Sequence, residues 1–285
     1  MIVRITGGLG NQMFQYAFKL MLDHRYEGHN NVIDTSFYID RNIHNGYELK
    51  RIFNIEEKEI NVSVFYRKVF SRLLYPFYLC NKSFVKTPFT LSETRFGFYN
   101  KFKSINPISN FIFDGYWQSE DYFVDISDTL RKTFTFPALD DKNKRVLQVR
   151  QPIVSVHIRR GDFLKASMYR DLSESEYYTK AIEYIHDHIE DPYFLFFSDD
   201  PDWVSQQFEY LPNKTIVNWN KGADSFRDMQ LMSLCKHNIV ANSSFSWWGA
   251  WLNNNPNKIV IAPSRYFTIE NINEDHLVPS KWIRI

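Results

Sequence analysis

The stretch Val154-Ser155-Val156-His157-Ile158-Arg159-Arg160-Gly161-Asp162 decides how this chain is read. Apolar residues run up to a strand end, and a His, two Arg and an Asp follow within six positions. Side chains at the end of a parallel strand stand where open α/β sheets bind ligands. Two guanidiniums there call for an anion, and a phosphate or diphosphate suits their fork geometry. The competing reading is an inert Arg–Asp pair in a surface turn, as most exposed ion pairs are. The rest of the chain decides between the two.

Around that stretch the pattern is rhythmic. Ile153–Ile158 reads as a strand, and Ser175–Ile189 has helical spacing with Tyr178, Ile182 and Ile185 on one stripe. Tyr193–Phe197 is a second strand, followed by a helix over Asp202–Tyr210 behind Pro201 and a strand at Thr215–Val217. A helix over Ser225–Cys235 holds Phe226, Met229 and Met232 in register, with Ser225 as its cap. A strand at Asn238–Ala241, a helix over Phe245–Asn253 and a strand at Lys258–Ala262 complete the series. Strands alternating with helices predict a parallel sheet covered on both faces. Polar residues gather just after the strands, at Arg159/Arg160/Asp162, Ser198/Asp199/Asp200 and Asn242/Ser243/Ser244. In a doubly wound sheet those ends line one crevice.

The N-terminal part opens with a strand at Ile2–Ile5, then Gly7-Gly8-Leu9-Gly10-Asn11-Gln12, then a helix to about Arg25 with Phe14, Ala17, Phe18 and Met21 on one face. Val32–Asp34 reads as a further strand. A glycine turn between strand and helix lets a ligand approach the backbone. A dinucleotide fingerprint fails, because the third glycine after Gly8 and Gly10 would fall at position 13, which is Met13. Asn11 and Gln12 either contact a ligand's hydroxyls or phosphate, or cap the helix. Residues 61–104 carry eight Lys/Arg against one acid, Glu93, among twelve aromatics. That composition suits a peripheral contact with a membrane surface, or a solvated basic face over an aromatic core. Absence of binding to anionic vesicles at low salt would remove the membrane reading. Pro137–Pro152, charged and without apolar periodicity, reads as the linker between an N-terminal lobe (1–145) and a C-terminal lobe (146–285).

With 285 residues, 44% hydrophobic and 24% charged, the chain is globular, and a formal net charge of +1 gives no global field for nucleic acid. Cys80 and Cys235 fit no metal or redox spacing and read as buried thiols of a reducing compartment. There is no secretory leader pattern and no apolar run of the ~20 residues that span a bilayer. A soluble cytoplasmic protein, peripheral on the inner membrane face if the basic stretch binds lipid, is the expectation.

Several segments together resemble one family. Ile5-Thr6-Gly7-Gly8-Leu9-Gly10-Asn11-Gln12-Met13-Phe14-Gln15-Tyr16-Ala17 looks like the opening of glycosyltransferase family 11, the α-1,2-fucosyltransferases. His157–Asp162 is similar to that family's first motif, shared more loosely with α-1,6- and protein O-fucosyltransferases. Gly115–Glu120, Phe197–Pro201 and Ser243–Trp251 resemble further family segments, in the family's order. The likeness spans nearly the whole chain and is weakest over 35–110. It implies a GT-B-like α/β fold of two Rossmann-like lobes facing a cleft. It also implies GDP-fucose as donor, bound mainly by the C-terminal lobe, a terminal galactose whose 2-hydroxyl is the acceptor, and no metal or other cofactor.

The residue chemistry is compatible with that implication. Departure of GDP leaves charge on the β-phosphate, which a metal or fixed cations can stabilise. No D-x-D pattern is present, since Asp199-Asp200 is adjacent rather than alternating, and one of these acids can serve to cap the next helix. The resemblance places the catalytic cation at Arg159. Alternation sends Arg160 to the other face as a brace to Asp162 or Asp199, or the two arginines exchange these roles; Asp162 orients an Arg or reads the nucleotide, and Asp199 is a further donor-side candidate. His157 shares the Arg159 face and either lies near the nucleotide or is a satisfied core histidine. Asp228 lies where related fucosyltransferases hold an acid against guanine, and its alternative is an exposed helix acid. Ser243, Ser244, Phe245 and Ser246 begin a helix whose N–H groups and hydroxyls suit a diphosphate. Gly8, Gly10 and Gln12 are donor-side candidates, and Asn11 is a catalytic one near the reacting hydroxyl. No general base is assigned, with Asp171, Glu174 and His44 as candidates. Three alternatives stay open: a transferase of another nucleotide sugar, a dinucleotide-dependent oxidoreductase, and a non-catalytic glycan-binding protein.

Overall fold

The structure, a computed structural model, describes residues 1–39, 43–60, 84–86, 90–93, 111–161, 167–270 and 272–285. Asp162, Cys80 and most of the basic stretch 61–104 lie outside the described residues.

Short strands of two to four residues, most with a buried apolar residue at their centre, form the first sheet. These are β1 (Ile2–Arg4), β2 (Val32–Asp34), β3 (Glu59–Ile60), β4 (Phe84–Lys86), β5 (Thr90–Glu93) and β6 (Ile112–Asp114), in the order β3-β2-β1-β6-β5-β4. Neighbours run parallel except the β4–β5 pair. Helix α1 (Leu9–Arg25) follows β1 and buries Met13, Phe14, Ala17, Phe18 and Met21, which include the expected stripe. Phe18 stacks on the wholly buried Trp117 with ring centroids 4.3 Å apart. Such ring pairs add about 0.5–1.5 kcal/mol beyond their buried area. Helices α2 (Leu49–Phe53) and α3 (Ser127–Thr133) are shorter.

Past α4 (Asp141–Arg145), the second sheet is built from β7 (Ile153–Ile158), β8 (Tyr193–Ser198), β9 (Lys214–Val217), β10 (His237–Ile239), β11 (Val260–Ala262) and β12 (Ile283–Arg284). Helices α5 (Tyr177–His188), α6 (Pro201–Gln207), α7 (Phe226–Leu234) and α8 (Ser244–Leu252) alternate with them. The strand order is β9-β8-β7-β10-β11-β12, and every neighbouring pair is parallel. This is the doubly wound order, and its direction reverses between β7 and β10.

Strand alternation decides what each face of β7 meets. Val154, Val156 and Ile158 pack with Ile182 and Ile185 of α5 and with Val204 and Phe208 on the α6 side. Ile153, Leu195 and Phe197 face Leu231 and Met232 of α7. Each such side chain taken fully out of water contributes about 1.5–3 kcal/mol. Several expected boundaries shift by one to three residues. Helix α6 stops at Gln207, leaving Tyr210 63% exposed beyond it. Strand β10 ends at Ile239, and α8 begins at Ser244. Ser225 precedes α7 in right-handed helical backbone after a short 3-10 turn, and its side chain makes no capping bond.

The chain divides into Met1–Thr135 with Asn271–Pro279, and Phe136–Glu270 with Ser280–Ile285. Helix α4 falls with the second unit, where Asn143 is hydrogen-bonded to Trp219 and Asn220. Among the described residues no helix is long and apolar enough to cross a membrane.

Candidate functional site

In the second unit the reversal between β7 and β10 is where a doubly wound sheet opens a ligand crevice, and the polar strand ends meet there. Arg159 leaves β7 on the His157 face, and its guanidinium pairs with Asp199 Oδ2 at 3.1 Å. Asp199 Oδ1 also accepts the Arg160 backbone N–H at 2.9 Å. The same carboxylate presses on Gly161, where an added Cβ would lie 2.8 Å from Asp199 Oδ2. Asp199 therefore holds the turn after β7 and the guanidinium together.

Arg160 goes to the opposite face, as alternation requires. Its Nε donates to Asp200 Oδ2 at 3.0 Å, a guanidinium N–H donates to the Ser173 hydroxyl, and its plane lies 4.4 Å from the Trp203 ring centre. Arg160's side chain is braced on Asp200 and not on the expected Asp199, because Asp200 caps α6 by accepting the Trp203 N–H at 3.2 Å and so lies on Arg160's side; the Asp162 alternative lies outside the described residues. Ser173 is in turn fixed by Asp171, which accepts from its N–H at 2.8 Å and from its hydroxyl at 2.6 Å. That engagement makes Asp171 a support of the brace. Glu174, the neighbouring candidate base, is exposed.

His157 is 7% exposed, and its Nδ1 is buried with no hydrogen-bond partner among the described residues. Burial and the nearby Arg159 push its pKa down to about 3, so the ring is neutral. Its ring lies 5.8 Å from that of Phe245, which joins the end of β7 to the start of α8. A buried orphan nitrogen costs free energy until something pairs with it, and that marks this corner as a place for a ligand. At α8, the Ser243 hydroxyl caps by accepting the Phe245 N–H at 3.3 Å, and no acid stands in the first turn. The positive end of the helix dipole is thus left for an anion. Ser246 is buried; its hydroxyl accepts from the Ala241 N–H at 3.2 Å and donates to the Ser243 carbonyl at 3.4 Å, which turns it toward the loop. Ser244 and Phe245 are half-buried at the helix start.

Asp228 stands in the first turn of α7. It is half-buried, accepts from Asn220 Nδ2 at 2.8 Å, and burial pushes its carboxyl up to about 7 against that hydrogen bond. The exposed-acid alternative therefore does not describe it.

In the first unit the corresponding corner lies after β1 and β6, again adjacent strands. Gly7 takes φ +78°, which favours glycine, and a Cβ there would meet Asn11 Nδ2 at 2.7 Å. Gly8 is the extended N-cap of α1 and Gly10 is buried in its first turn. Asn11 Oδ1 accepts from Gln118 Nε2 at 2.8 Å. Gln12 is wholly buried; its amide donates to the carbonyls of Gly7 at 3.1 Å and Gly46 at 2.8 Å and accepts the Glu48 N–H at 2.8 Å. Gln12 therefore shapes the turn instead of presenting its amide outward. His44, at φ +54° and exposed, has its ring beside Gly8.

Sequence reasoning assigned no role to Gln15, Gln118, Asn143, Asn220 or Ser173. Gln15 accepts the Thr6 N–H at 2.8 Å and donates to the Gly115 carbonyl at 3.0 Å, fastening the β1 turn to the β6 turn. Gln15 and Gln118 sat inside quoted motifs, which was their signal. Asn143 and Asn220 had none. Among the described residues no group of three or more His, Cys, Asp or Glu is placed to hold a metal.

Two α/β units, with polar strand ends at each reversal of strand order, have the architecture of GT-B folds. The profile of Glycosyl transferase family 11 matches residues 1–285, and the chain belongs to that family. It is 34% identical over 292 residues to an alpha-1,2-colitosyltransferase of Escherichia coli, covering 100% of this chain and 98% of that one. It is 33% identical over 306 residues to the O-antigen biosynthesis glycosyltransferase WbnK of Escherichia coli, covering 99% of each. In fold it is similar to the crystal structure of fucosyltransferase NodZ from Bradyrhizobium, with a TM-score of 0.53 at 15% identity over 87% of this chain and 91% of that one.

Proposed function

We propose that the protein transfers L-fucose from GDP-fucose to the 2-hydroxyl of a terminal galactose, with inversion, in the synthesis of a bacterial surface polysaccharide. The observation that carries this reading is the end of β7, where Asp199 fixes the Arg159 guanidinium and the His157 ring lies 5.8 Å from Phe245 at the start of α8, a helix with no first-turn acid. In the proposed reaction the donor's diphosphate displaces Asp199 from Arg159, and the guanidinium then meets the charge that grows on the β-phosphate as the sugar departs. Fixed donors of this sort stabilise a leaving group without reorganising. His157 and the start of α8 complete the anion site, while Asp228 accepts from the N1–H and 2-amino group of guanine. Fixed cations take the part a metal plays elsewhere, so chelators leave the rate unchanged. In this reading Asn11, which accepts a hydrogen bond from Gln118, positions the acceptor hydroxyl. The basic aromatic stretch 61–104 holds the enzyme near its acceptor on an anionic membrane surface.

A second reading has a specific basis in the 34% identity to a colitosyltransferase. Colitose is fucose without its 3-hydroxyl, so the two donors share every other contact. Transfer from labelled GDP-fucose and GDP-colitose to a panel of galactosides, with linkage analysis and a chelator control, separates the readings. Fucose on O2 of galactose is the expected product. Preference for colitose moves the donor assignment, and absence of transfer from either donor overturns both readings.

A further inference from the structure

The nucleobase-reading acid of the second unit belongs to a hydrogen-bonded chain that the reaction does not use. Asn143 is 1% exposed although α4 is otherwise charged, with Asp141, Lys142 and Lys144 in solvent. Its Oδ1 accepts from Trp219 Nε1 at 3.1 Å and from Asn220 Nδ2 at 3.0 Å. Its Nδ2 donates to Asp140 Oδ2 at 2.8 Å and to Asn220 Oδ1 at 3.0 Å. Asn220 Nδ2 then donates to Asp228 Oδ1 at 2.8 Å.

The direction of this chain is set at its ends. An indole nitrogen can only donate and an ionised carboxylate can only accept. Trp219 therefore fixes the oxygen of Asn143 on its own side, and Asp140 fixes the nitrogen. Those two constraints orient Asn220 with its nitrogen toward Asp228. Turning either amide over would set donor against donor or acceptor against acceptor in a half-buried place, at a cost comparable to losing a hydrogen bond. Asp228 consequently receives one donor from the protein and keeps its other lone pairs for a ligand edge that donates. Guanine offers two donors on that edge, hypoxanthine one, and adenine an acceptor beside its amino group.

We propose that Asn143 and Asn220 determine donor-base specificity, by holding Asp228 as an oriented acceptor for the two-donor edge of guanine. The inference rests on the guanosine reading of the donor. Both asparagines are positioning residues, since they act through Asp228.

Titration of the full chain with GDP, IDP, ADP and inorganic pyrophosphate tests the proposal. Wild type should prefer GDP over IDP by about ten-fold and discriminate further against ADP. Asn220→Ala should reduce the GDP-to-IDP ratio to about three-fold or less and leave pyrophosphate affinity unchanged. Asn143→Ala should act in the same direction. If Asn143→Ala fails to fold by circular dichroism, Asn220→Ala decides alone, because Asn220 is only half-buried. An unchanged ratio in a folded Asn220→Ala protein, or an equal loss for GDP, IDP and pyrophosphate, overturns the proposal while the guanosine reading stands. A wild type that does not prefer GDP overturns the guanosine reading itself.

Discussion

At the residue scale, two adjacent arginines differ because alternation sends them to opposite faces. Among the described residues Arg159 pairs with Asp199 and is a third exposed on its side chain, whereas Arg160 is held by Asp200, Ser173 and the Trp203 ring. Arg159→Ala should lower kcat about 10²–10³-fold with far-ultraviolet circular dichroism unchanged. A loss below about five-fold would remove the guanidinium from the chemistry. Asp228 makes a pH prediction of definite sign. Its carboxyl titrates near 7 in the fold against an ordinary 3.8. Between those values the native state holds a proton that the unfolded chain has released, so this residue contributes less stability as pH rises through 7. Guanine needs the ionised form, so GDP affinity should rise from pH 6 to 8 by calorimetry. In Asp228→Asn that slope should vanish, and a pH-independent wild type would contradict the assignment.

At the element scale, β-strand ends are joined to helix starts by acids that do two tasks. Asp200 caps α6 and neutralises Arg160. Asp200→Ala should therefore cost more than the about 1 kcal/mol of an ordinary cap, because it also strips Arg160 of its charged partner. Chemical denaturation measures this, and a loss no larger than that of an isolated cap would separate the two tasks. Legibility in the sequence followed the same elements. Strand β7 and helix α1 were readable, since six buried residues in a row and a helical stripe are local patterns. Strands β3 and β12, two residues each, are too short to carry a period. Strand β5 starts with buried Thr90, Leu91 and Ser92, which gives no alternation to read. Asn143 was invisible for another reason: its partners Trp219 and Asn220 lie far along the chain, and its own surroundings read as a charged linker.

At the scale of the whole molecule, most of the proposed donor-side groups fall in the second unit, around β7, β8, α7 and α8, while Gly8, Gly10 and Gln12 belong to the first. Saturating GDP should slow amide hydrogen exchange at 157–161, 198–200, 220–228 and 243–246, while the core of the first sheet is unaffected. Protection confined to the Gly7–Gln12 turn would place the nucleotide elsewhere. The Arg159–Asp199 pair adds a kinetic consequence. An anion of the protein's own stands on the cation that the proposed donor must reach, so on that reading the site is never a bare charge waiting in water. Binding becomes an exchange of counter-ions, and Asp199 competes for the same guanidinium when GDP departs. An enzyme built this way trades some donor affinity for faster turnover, and Asp199→Asn should hold GDP longer than wild type does.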